Sequence, residues 1–428
     1  MNFEQLGLDQ RIVQAVDEAG YSEPTPIQSM AIPKIIEGVD IRASAYTGTG
    51  KTAAFVLPAL TRLASCGEKS CRGPRILVLV PTRELAMQVA SQVEKYGRHL
   101  PRAKVVCIIG GVPYPVQRRR LSRPYDILIA TPGRLIDYLD RRKITLSSVE
   151  MLVLDEADRM LDMGFIEPVE QIAEAVPGSR QTLLFSATLG GSIKRLSDRL
   201  MTNPIEIVAE GSGVKPVNIE QILHYTDDLR HKKRLLNHLL NKEEVSRAIV
   251  FTATKRQADE LVDDLYEEGL FAAALHGDMN QRQRTKTIDR VRNGRTRILV
   301  ATDVAARGID VQAVTHVINF DLPHNVEDYV HRIGRTGRAG ASGIALSFAA
   351  RREASLVKRI EQFIGKRIDA VEIPGFEPKA KQSRSSRPFP GARAGSRRST
   401  PSSKSGFASR HWTKERAKAQ RKRFQPSR

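Results

Sequence analysis

The sequence predicts an α/β protein with two lobes, each a mostly parallel sheet covered by helices, followed by a basic tail. Short apolar runs, typical of strands buried on both faces, alternate with longer stretches that carry apolar residues at helical spacing. The alternation pauses at AEGSGVKPV (209–217), where glycines and a proline suit a hinge, and then resumes. We therefore expect a first lobe over 1–208, a short linker over 209–217, a second lobe over 218–374 and a tail over 375–428.

The strands of the first lobe are predicted from five apolar runs, and one more strand is expected at Ile41. In chain order the runs are RILVLV (75–80), KVVCIIG (104–110), DILIAT (126–131), MLVLD (151–155) and TLLFSAT (182–188). The second lobe repeats the pattern with AIVFTAT, AAALHG, RILVAT, HVINFD and GIALSF. Polar segments of helical periodicity separate the runs, as crossovers between parallel strands require.

The composition indicates a globular protein rather than a membrane or secreted one. The 428 residues are 41% hydrophobic and 27% charged, which is ordinary for folded domains. No apolar run reaches the ~18 residues of a membrane helix, and the N-terminus lacks a signal-peptide pattern. Three cysteines, Cys66, Cys71 and Cys107, fit reduced thiols better than a metal site. We expect a cytoplasmic protein without a membrane partner.

The positive charge is concentrated at the end of the chain. Of the net charge of +20, residues 376–428 contribute +14, from 16 Lys and Arg against two Glu, which leaves +6 for the rest. This tail lacks the apolar content to fold alone, so we expect it to be disordered and to bind a polyanion such as RNA, DNA or an acidic surface. Its aromatic residues could stack on unpaired bases, although a solvated tail without such contacts is the alternative; they are Phe389, Phe407, Trp412 and Phe424.

A phosphate-binding loop is predicted in ASAYTGTGKTAAF, directly after the first expected strand. It matches G-x-x-x-x-G-K-[ST] except at the first position, where Ala45 stands. Gly48 and Gly50 let backbone N–H groups turn toward phosphate oxygens, and Lys51 supplies charge for the β and γ phosphates. The Thr52 hydroxyl can hold Mg²⁺, while the following helix contributes its positive end. A glycine-rich turn without a ligand is the alternative.

Three acids end the apolar run MLVLDEAD (151–158) and need a positive partner to offset their mutual repulsion. In a nucleotide site Asp155 would hold Mg²⁺ through water, and Glu156 would orient and deprotonate the water that attacks the γ-phosphate. Asp158 lies too far along the chain to share the metal easily. The alternative is an acidic helix N-terminus that the helix dipole favours.

These motifs resemble those of the DEAD-box ATP-dependent RNA helicases, especially the bacterial SrmB and RhlE types. The resemblance covers residues 1–375 and leaves only the tail outside. Besides AYTGTGKT, DEAD and SAT (186–188), the matching motifs are GYSEPTPIQ (20–28), PTRELA (81–86), Gly110-Gly111, TPGR (131–134), IVFTAT (249–254), QRQR (281–284), TDVAARGID (302–310) and HRIGRTGR (331–338).

The resemblance implies two RecA-like lobes with ATP and Mg²⁺ bound in the cleft between them. In the Q motif, within residues 1–29, Gln28 would read the adenine edge and Tyr21 would pack on the ring; plain core packing is the alternative for Tyr21. Asp303 would contact the ribose from the second lobe. The implied nucleotide-binding loop comprises Ala45, Tyr46, Thr47, Gly48, Thr49, Gly50, Lys51 and Thr52.

The resemblance also implies a link between lobe closure and hydrolysis. Arg335 and Arg338 would be arginine fingers that reach the γ-phosphate when the lobes close, although a solvated basic face is the alternative. A finger can contribute about 10³–10⁵ in rate, which would make closure the switch for hydrolysis. The implied coupling set comprises Asp158, Ser186, Thr188 and His331, with Asp158 bridging to the serine and the threonine.

The implied RNA contacts are small residues, hydroxyls and arginines, which suit phosphates and 2′-hydroxyls rather than base edges. They are Thr82, Arg83, Gly111, Thr131, Arg134, Arg282 and Thr302, each of which could instead be an ordinary surface residue. The implied activity is local, ATP-coupled unwinding or remodelling of RNA duplexes and RNA–protein complexes, in ribosome assembly or RNA turnover, by a monomeric core. An ATP-dependent RNA clamp with little unwinding, and a DNA helicase, are the alternatives.

Overall fold

The structure is a computed structural model that describes residues 2–45, 49–65, 73–100, 103–208, 219–306, 309, 311, 313–337 and 342–379. The predicted linker at 209–217 and the tail from residue 380 onward lie outside these residues. Among the described residues, no helix combines the length and the apolar character that crossing a bilayer requires.

The first lobe is a seven-stranded sheet with helices on both faces, in the order β3-β4-β2-β5-β6-β1-β7, and every strand pair in it is parallel. Its strands are β1 Ile41–Ser44, β2 Ile76–Leu79, β3 Val105–Ile108, β4 Ile127–Ala130, β5 Met151–Leu154, β6 Gln181–Ser186 and β7 Ile205–Val208. Its helices are a 3-10 turn at Phe3–Leu6, then α1 Gln10–Glu18, α2 Pro26–Ile36, α3 Lys51–Ser65, α4 Arg83–Tyr96, α5 Tyr114–Leu121, α6 Pro132–Asp140, α7 Ala157–Asp162, α8 Ile166–Glu174 and α9 Gly191–Leu200.

The second lobe repeats this architecture in a second seven-stranded parallel sheet, in the order β10-β11-β9-β12-β13-β8-β14. Its strands are β8 Ile219–Thr226, β9 Ala248–Phe251, β10 Ala272–Leu275, β11 Ile298–Ala301, β12 His316–Asn319, β13 Gly343–Ala350 and β14 Asp369–Ala370. Its helices are α10 Leu229–Leu240, α11 Lys255–Glu267, α12 Gln281–Arg292, α13 Asp303–Ala306, α14 Val326–Ile333, a 3-10 turn at Arg351–Glu353 and α15 Ala354–Ile364.

The predicted fold of two helix-covered parallel sheets is confirmed. Side chains alternate between two apolar cores on opposite faces of the first sheet, because neighbouring residues of a strand point to opposite sides. In β2, Ile76 and Val78 join one core, whereas Leu77 and Leu79 join the other. Strands buried on both faces in this way are mostly apolar, which is why the sequence reveals β2, β4 and β5 as continuous runs.

The second lobe extends a few residues beyond its predicted end at residue 374. The carbonyl of Phe376 accepts a hydrogen bond from Nε2 of His231 at 3.0 Å, and its ring lies 4.7 Å from the His238 ring. The N–H of Lys379 donates to Asp227 at 2.9 Å. The first residues of the predicted tail are therefore packed on α10 and its N-terminal end.

The parallel arrangement collects the predicted functional segments of the first lobe at one edge of its sheet. The segment at 45–52 follows β1, PTRELA runs from the end of β2 into α4, and Gly110-Gly111 follows β3. TPGR, DEAD and SAT stand at the ends of β4, β5 and β6 in the same way. Because all carboxyl ends of a parallel sheet lie on one side, this edge is where such folds bind their ligands.

Candidate nucleotide and nucleic-acid sites

The phosphate loop places a buried ammonium group at the start of a helix. Lys51 is the first residue of α3 and is only 7% exposed, yet its Nζ makes no hydrogen bond with any described residue. A buried charge without a partner is costly, and the N-terminus of a helix favours an anion. The position therefore fits a phosphate group. Tyr46, Thr47 and Gly48 lie outside the described residues, while Thr52 follows Lys51 in a half-buried position.

Gln28 ties the Q motif to this loop. Its side-chain oxygen accepts from the N–H of Thr25 at 3.0 Å, and its Nε2 donates to the carbonyl of Gly50 at 3.1 Å. Gly50 has φ +89°, and a Cβ there would collide with the Gln28 amide, so both backbone conformation and space require glycine. The Gln28 amide retains one N–H and one oxygen lone pair that a base edge could use.

Tyr21, the predicted partner of the adenine ring, is 47% exposed. Lys95 places its ammonium 4.7 Å from the centre of the ring, and the ring of Tyr96 lies 6.4 Å away. Tyr21 therefore lies at the surface of the lobe rather than in its core.

Asp155 directly follows β5 and is almost completely buried, at 2% exposure. Burial raises the pKa of this carboxyl to about 7, the Lys51 ammonium opposes that rise, and the Glu156 carboxylate adds to it. The Asp155 carboxylate and the Thr52 hydroxyl are oxygen ligands of the kind that Mg²⁺ takes, whereas the buried Lys51 ammonium suits the phosphates that would accompany the metal. Among the described residues, no cluster of three or more His, Cys, Asp or Glu could hold a metal alone, so phosphates would have to supply further ligands.

Glu156 is held in an uncommon backbone conformation, with φ 54° and ψ 51°. For a residue with a Cβ this left-handed conformation costs on the order of 1–3 kcal/mol, so the surrounding structure must fix it. The N–H of Glu156 donates to Oδ1 of Asp155 at 3.0 Å, which locks the two acids together at the turn from β5 into α7. The position and direction of Glu156 are therefore set by the backbone.

Asp158 contacts the SAT segment through the backbone. Its Oδ2 accepts from the N–H of Ala187 at 3.0 Å, between the serine and the threonine of the motif. The hydroxyl of Ser186 is instead directed to Thr188, donating to its carbonyl at 2.7 Å. The expected bridge from Asp158 to these two side chains is thus replaced by a contact with the peptide between them. His331 of the second lobe lies 3.9 Å from the same carboxylate.

Two further contacts between the lobes involve residues that were not predicted as site residues. Arg284 donates to Glu84 at 2.8 Å, and both side chains are buried. Arg159, which is fully buried, pairs with Asp328 of the second lobe and donates to Asp162 at 2.9 Å. Glu84 lies within the motif PTRELA and Arg284 within QRQR, so the motifs marked both segments as functional. That these two side chains pair, 200 residues apart in the chain, could not be inferred from the motifs.

The second-lobe residues predicted to face the nucleotide are held by neighbours of their own lobe. The carboxylate of Asp303 accepts from Arg332 at both oxygens, at 2.5 and 2.7 Å. Arg335 is buried and donates to the carbonyl of Ile309 at 2.7 Å. Arg338 lies outside the described residues. A ribose near Asp303 would therefore meet a carboxylate that is already neutralised by an arginine.

The predicted RNA residues of the first lobe meet around Arg83. The guanidinium of Arg83 covers Gly110 and Gly111, where a Cβ on Gly111 (φ +74°) would collide with it. Burial lowers the pKa of Arg83, and the charges of Arg284 and Arg134 act in the same direction, so three arginines lie close together. Arg134 also donates to the Val112 carbonyl at 2.8 Å, next to Gly111.

The remaining predicted RNA residues lie at element boundaries. Thr82 caps α4 by accepting from Leu85 at 3.3 Å, and Thr131 is the residue before α6. Arg282 is exposed on α12, next to Gln281, which accepts from Arg83 across the lobes at 3.3 Å. Thr302 stands between β11 and α13. The structure thus groups Arg83, Gly111 and Arg134 directly and brings Arg282 to the same side through Gln281.

Comparisons with known proteins agree with this architecture. The DEAD/DEAH box helicase family matches residues 25–196, and the helicase conserved C-terminal domain matches residues 231–340. The chain is 44% identical to the ATP-dependent RNA helicase SrmB of Haemophilus influenzae over 380 residues, which are 89% of this chain and 86% of that protein. It is also 44% identical to the DEAD-box ATP-dependent RNA helicase CshA of Bacillus cereus, over 88% of this chain and 70% of that protein.

Solved structures of similar fold contain nucleotide analogues and RNA. Dbp5 of S. cerevisiae, bound to RNA and ADP BeF3, matches with a TM-score of 0.78 and 30% identity, over 86% of this chain and 95% of that one. The DEAD-box helicase Mss116, bound to ssRNA and UDP-BeF, matches with a TM-score of 0.78 and 29% identity, over 87% of this chain and 79% of that one.

Proposed function

The chain belongs to the DEAD-box family of ATP-dependent RNA helicases, and we propose that it unwinds or remodels RNA locally by coupling lobe closure to ATP hydrolysis. The observation that supports this most directly is the pair formed by Lys51 and Asp155. An ammonium without a hydrogen-bond partner among the described residues and a carboxyl of raised pKa are buried together at the ligand-binding edge of the first sheet. Each would gain from the phosphates and the cation of bound Mg²⁺–ATP.

In this proposal the first lobe binds the nucleotide through groups that the fold already positions. Lys51 and the N–H groups of the phosphate loop would bind the β and γ phosphates. Thr52 and Asp155 would hold Mg²⁺, which would offset negative charge on the phosphates. Gln28 would use its remaining amide hydrogen and lone pair on the adenine edge. Tyr21 would pack on the adenine ring.

Glu156 is proposed as the residue that orients the attacking water and accepts its proton. A carboxylate serves as a general base when it is within hydrogen-bond reach of the water, and the fixed backbone of Glu156 provides a defined position. Because Glu156 directly follows Asp155, the two acids can act on neighbouring parts of the same triphosphate.

Closure of the lobes is proposed to complete the site. Arg335 and Arg338 would stabilise charge on the γ-phosphate, and Asp303 would contact the ribose. The guanidinium of Arg335 is a planar group with five N–H donors, a shape that matches the oxygens of a phosphate. By analogy with other phosphoryl transfers, such fingers contribute about 10³–10⁵ in rate, or about 4–7 kcal/mol. The contacts of Asp158 with Ala187 and His331 would report the nucleotide state to the RNA-binding side.

RNA is proposed to cross both lobes on the surface around Arg83. The proposed contacts are to phosphates and 2′-hydroxyls and therefore do not depend on base sequence. A strand held in bent form would lose pairing with its complement over a few base pairs, and phosphate release would reopen the cleft. The contacts comprise Thr82, Arg83, Gly111, Thr131, Arg134, Arg282 and Thr302.

The biological setting is a further part of the proposal. The similarity to SrmB proteins and the basic tail support a cytoplasmic enzyme, monomeric in its core, that acts on structured RNA such as ribosomal RNA during ribosome assembly or RNA turnover. The second candidate function is an ATP-dependent RNA clamp with little unwinding, which the same lobe closure would allow.

The test of the proposed chemistry is the variant Glu156→Gln. It should bind ATP and RNA together and release them slowly, because binding survives while hydrolysis does not. The matched control is Glu167→Gln, an exposed change of the same kind on α8. Multiple-turnover RNA-stimulated ATPase equal to wild type in Glu156→Gln would overturn the role of Glu156. Strand displacement by the wild type separates the two candidate functions, since a clamp would bind RNA with ATP but displace no strand.

A further inference from the structure

An arginine cluster surrounds Tyr114 on the first lobe, and apart from Arg134 the proposed function does not use it. The guanidinium carbons of Arg134 and Arg141 lie 4.4 and 4.9 Å from the centre of the Tyr114 ring. The Tyr114 hydroxyl is hydrogen-bonded to Asp137. The Arg118 charge acts on neighbouring Tyr138 together with the charges of Arg134 and Arg141. We call Tyr114, Arg118, Arg134, Asp137 and Arg141 the Tyr114 cluster.

The Tyr114 cluster lies in a strongly basic part of the first lobe. Residues 112–143 contain eight Lys and Arg against three acids, a net charge of +5, whereas the first 375 residues together carry only +6. Arg118 and Arg141 are exposed, and Arg134 is half-buried. Asp137 is the one acid within the cluster itself. Three guanidinium groups against one carboxylate repel each other, and a polyanion would relieve that repulsion.

The cluster is continuous with the proposed RNA surface. Arg134 packs on Tyr114 and also donates to the Val112 carbonyl, next to Gly111. Beneath the arginines, Tyr138 is buried, with its ring 5.6 Å from that of Tyr114. The Tyr138 hydroxyl makes no hydrogen bond with any described residue. A buried donor of this kind at the base of a cationic surface is an independent indication that an acceptor belongs there.

We propose that the Tyr114 cluster binds the phosphates of RNA that continues beyond the nucleotides held at Gly111 and Arg134. The proposal rests on the proposed RNA binding of the first lobe and extends its surface by Tyr114, Arg118 and Arg141. Guanidinium groups match phosphate oxygens with two parallel N–H donors. The Tyr114 ring contacts both Arg134 and Arg141 and holds their guanidinium groups in place, which reduces the entropy they lose on binding. The site would hold flanking RNA without reading its sequence.

The test compares two RNAs and two double variants of the full chain, with ADP BeF3 as the ATP analogue. One single-stranded RNA is just long enough to cross the lobes, and the other is about three times longer. Arg118→Gln with Arg141→Gln should leave affinity for the short RNA within about twofold and weaken binding of the long RNA by roughly tenfold at low salt. The slope of log K against log salt for the long RNA should become shallower by about 1.4, or 0.7 for each lost phosphate contact.

The matched control is Arg119→Gln with Arg123→Gln, which removes the same charge from the same segment but outside the Tyr114 cluster. It should bind both RNAs like the wild type. Tyr114→Leu should weaken binding of both RNAs, because Arg134, which contacts the short RNA, and Arg141 both lose the ring, and the loss should be larger on the long RNA. The proposal would be refuted if the Arg118→Gln and Arg141→Gln pair bound the long RNA with the same affinity and salt slope as the control pair. It would also be refuted if that pair lost equal affinity for both RNAs while its melting temperature stayed unchanged. A wild type that fails to bind the short RNA with ADP BeF3 would instead overturn the proposed function, and this extension with it.

Discussion

The substitution Asp155→Asn should stabilise the nucleotide-free protein at neutral pH while it abolishes ATPase activity. Burial raises the pKa of the Asp155 carboxyl from 3.8 to about 7. Between these values the folded chain holds a proton that the unfolded chain has lost, so stability falls as the pH rises through this window. A difference of three pKa units lowers the free energy of unfolding by about 4 kcal/mol at pH 8. The amide of asparagine does not ionise, so the variant avoids this loss of stability.

The measurement is urea unfolding of both full-length proteins, followed by far-ultraviolet circular dichroism between pH 4 and pH 9 without nucleotide. The stability difference in favour of Asp155→Asn should grow by about 1.4 kcal/mol per pH unit from pH 4 to pH 7 and then level off. The control Asp140→Asn removes an exposed carboxylate from the same lobe and should give a pH-independent difference. A flat difference for Asp155→Asn would refute the reasoning, because it would mean that Asp155 ionises at no cost. Saturating Mg²⁺ and ATP should shrink the difference, since only the wild type gains the carboxylate contact.

Three other predictions follow, two on the contacts between the two lobes and one on RNA binding by the tail. Glu84→Gln should lower RNA-stimulated ATPase activity by at least tenfold and leave the melting temperature within about 2 °C, because its partners lie in the other lobe; a large melting shift with normal ATPase would contradict this. A double-mutant cycle of Arg159→Met and Asp328→Leu should give a coupling energy of about 1–3 kcal/mol. The energies are calculated from the RNA concentration that gives half-maximal ATPase activity, and purely additive effects of the two substitutions would exclude a direct pair. A chain ending at Lys379 loses 15 of the 16 tail cations and should bind long RNA with a much shallower salt dependence at unchanged maximal ATPase rate; an unchanged salt slope would show that the tail does not bind RNA.

Most strands that the sequence reveals are buried on both faces, although the partly buried β3 and β10 are revealed as well by their apolar residues. β2, β4 and β5 are buried at every position, so each is an uninterrupted apolar run. The sequence did not predict β7 or β14, because at the sheet edges most of their positions are exposed and the apolar pattern is lost. β8 was missed as well, because polar residues interrupt the apolar ones in IEQILHYT.

Part of the candidate site could likewise be predicted from the sequence and part could not. Residues that follow strands of one parallel sheet, such as Lys51 in the segment after β1 and Asp155 after β5, could be placed at the same edge from sequence, because parallel strands bring their carboxyl ends to one side. Contacts that depend on how two lobes meet could not be predicted, since nothing in the local pattern relates Glu84 to Arg284. The same holds for the Tyr114 cluster, where α5 and the two ends of α6 converge only after folding.

Among the described residues, the contacts between the lobes include buried ion pairs and no apolar cluster, and this suits a cleft that opens and closes. Each of the five apolar clusters that the described residues form lies within one lobe. The contacts across the cleft include the ion pairs of Arg284 with Glu84 and of Arg159 with Asp328. A buried ion pair adds little net stability, because desolvation offsets most of its attraction, whereas an apolar interface of similar area would hold the lobes shut. The ion pairs nevertheless require one geometry, so they can select the closed arrangement without making it permanent. ATP and RNA, whose proposed contacts lie beside these pairs, would then need only a few kcal/mol of differential binding to shift the equilibrium.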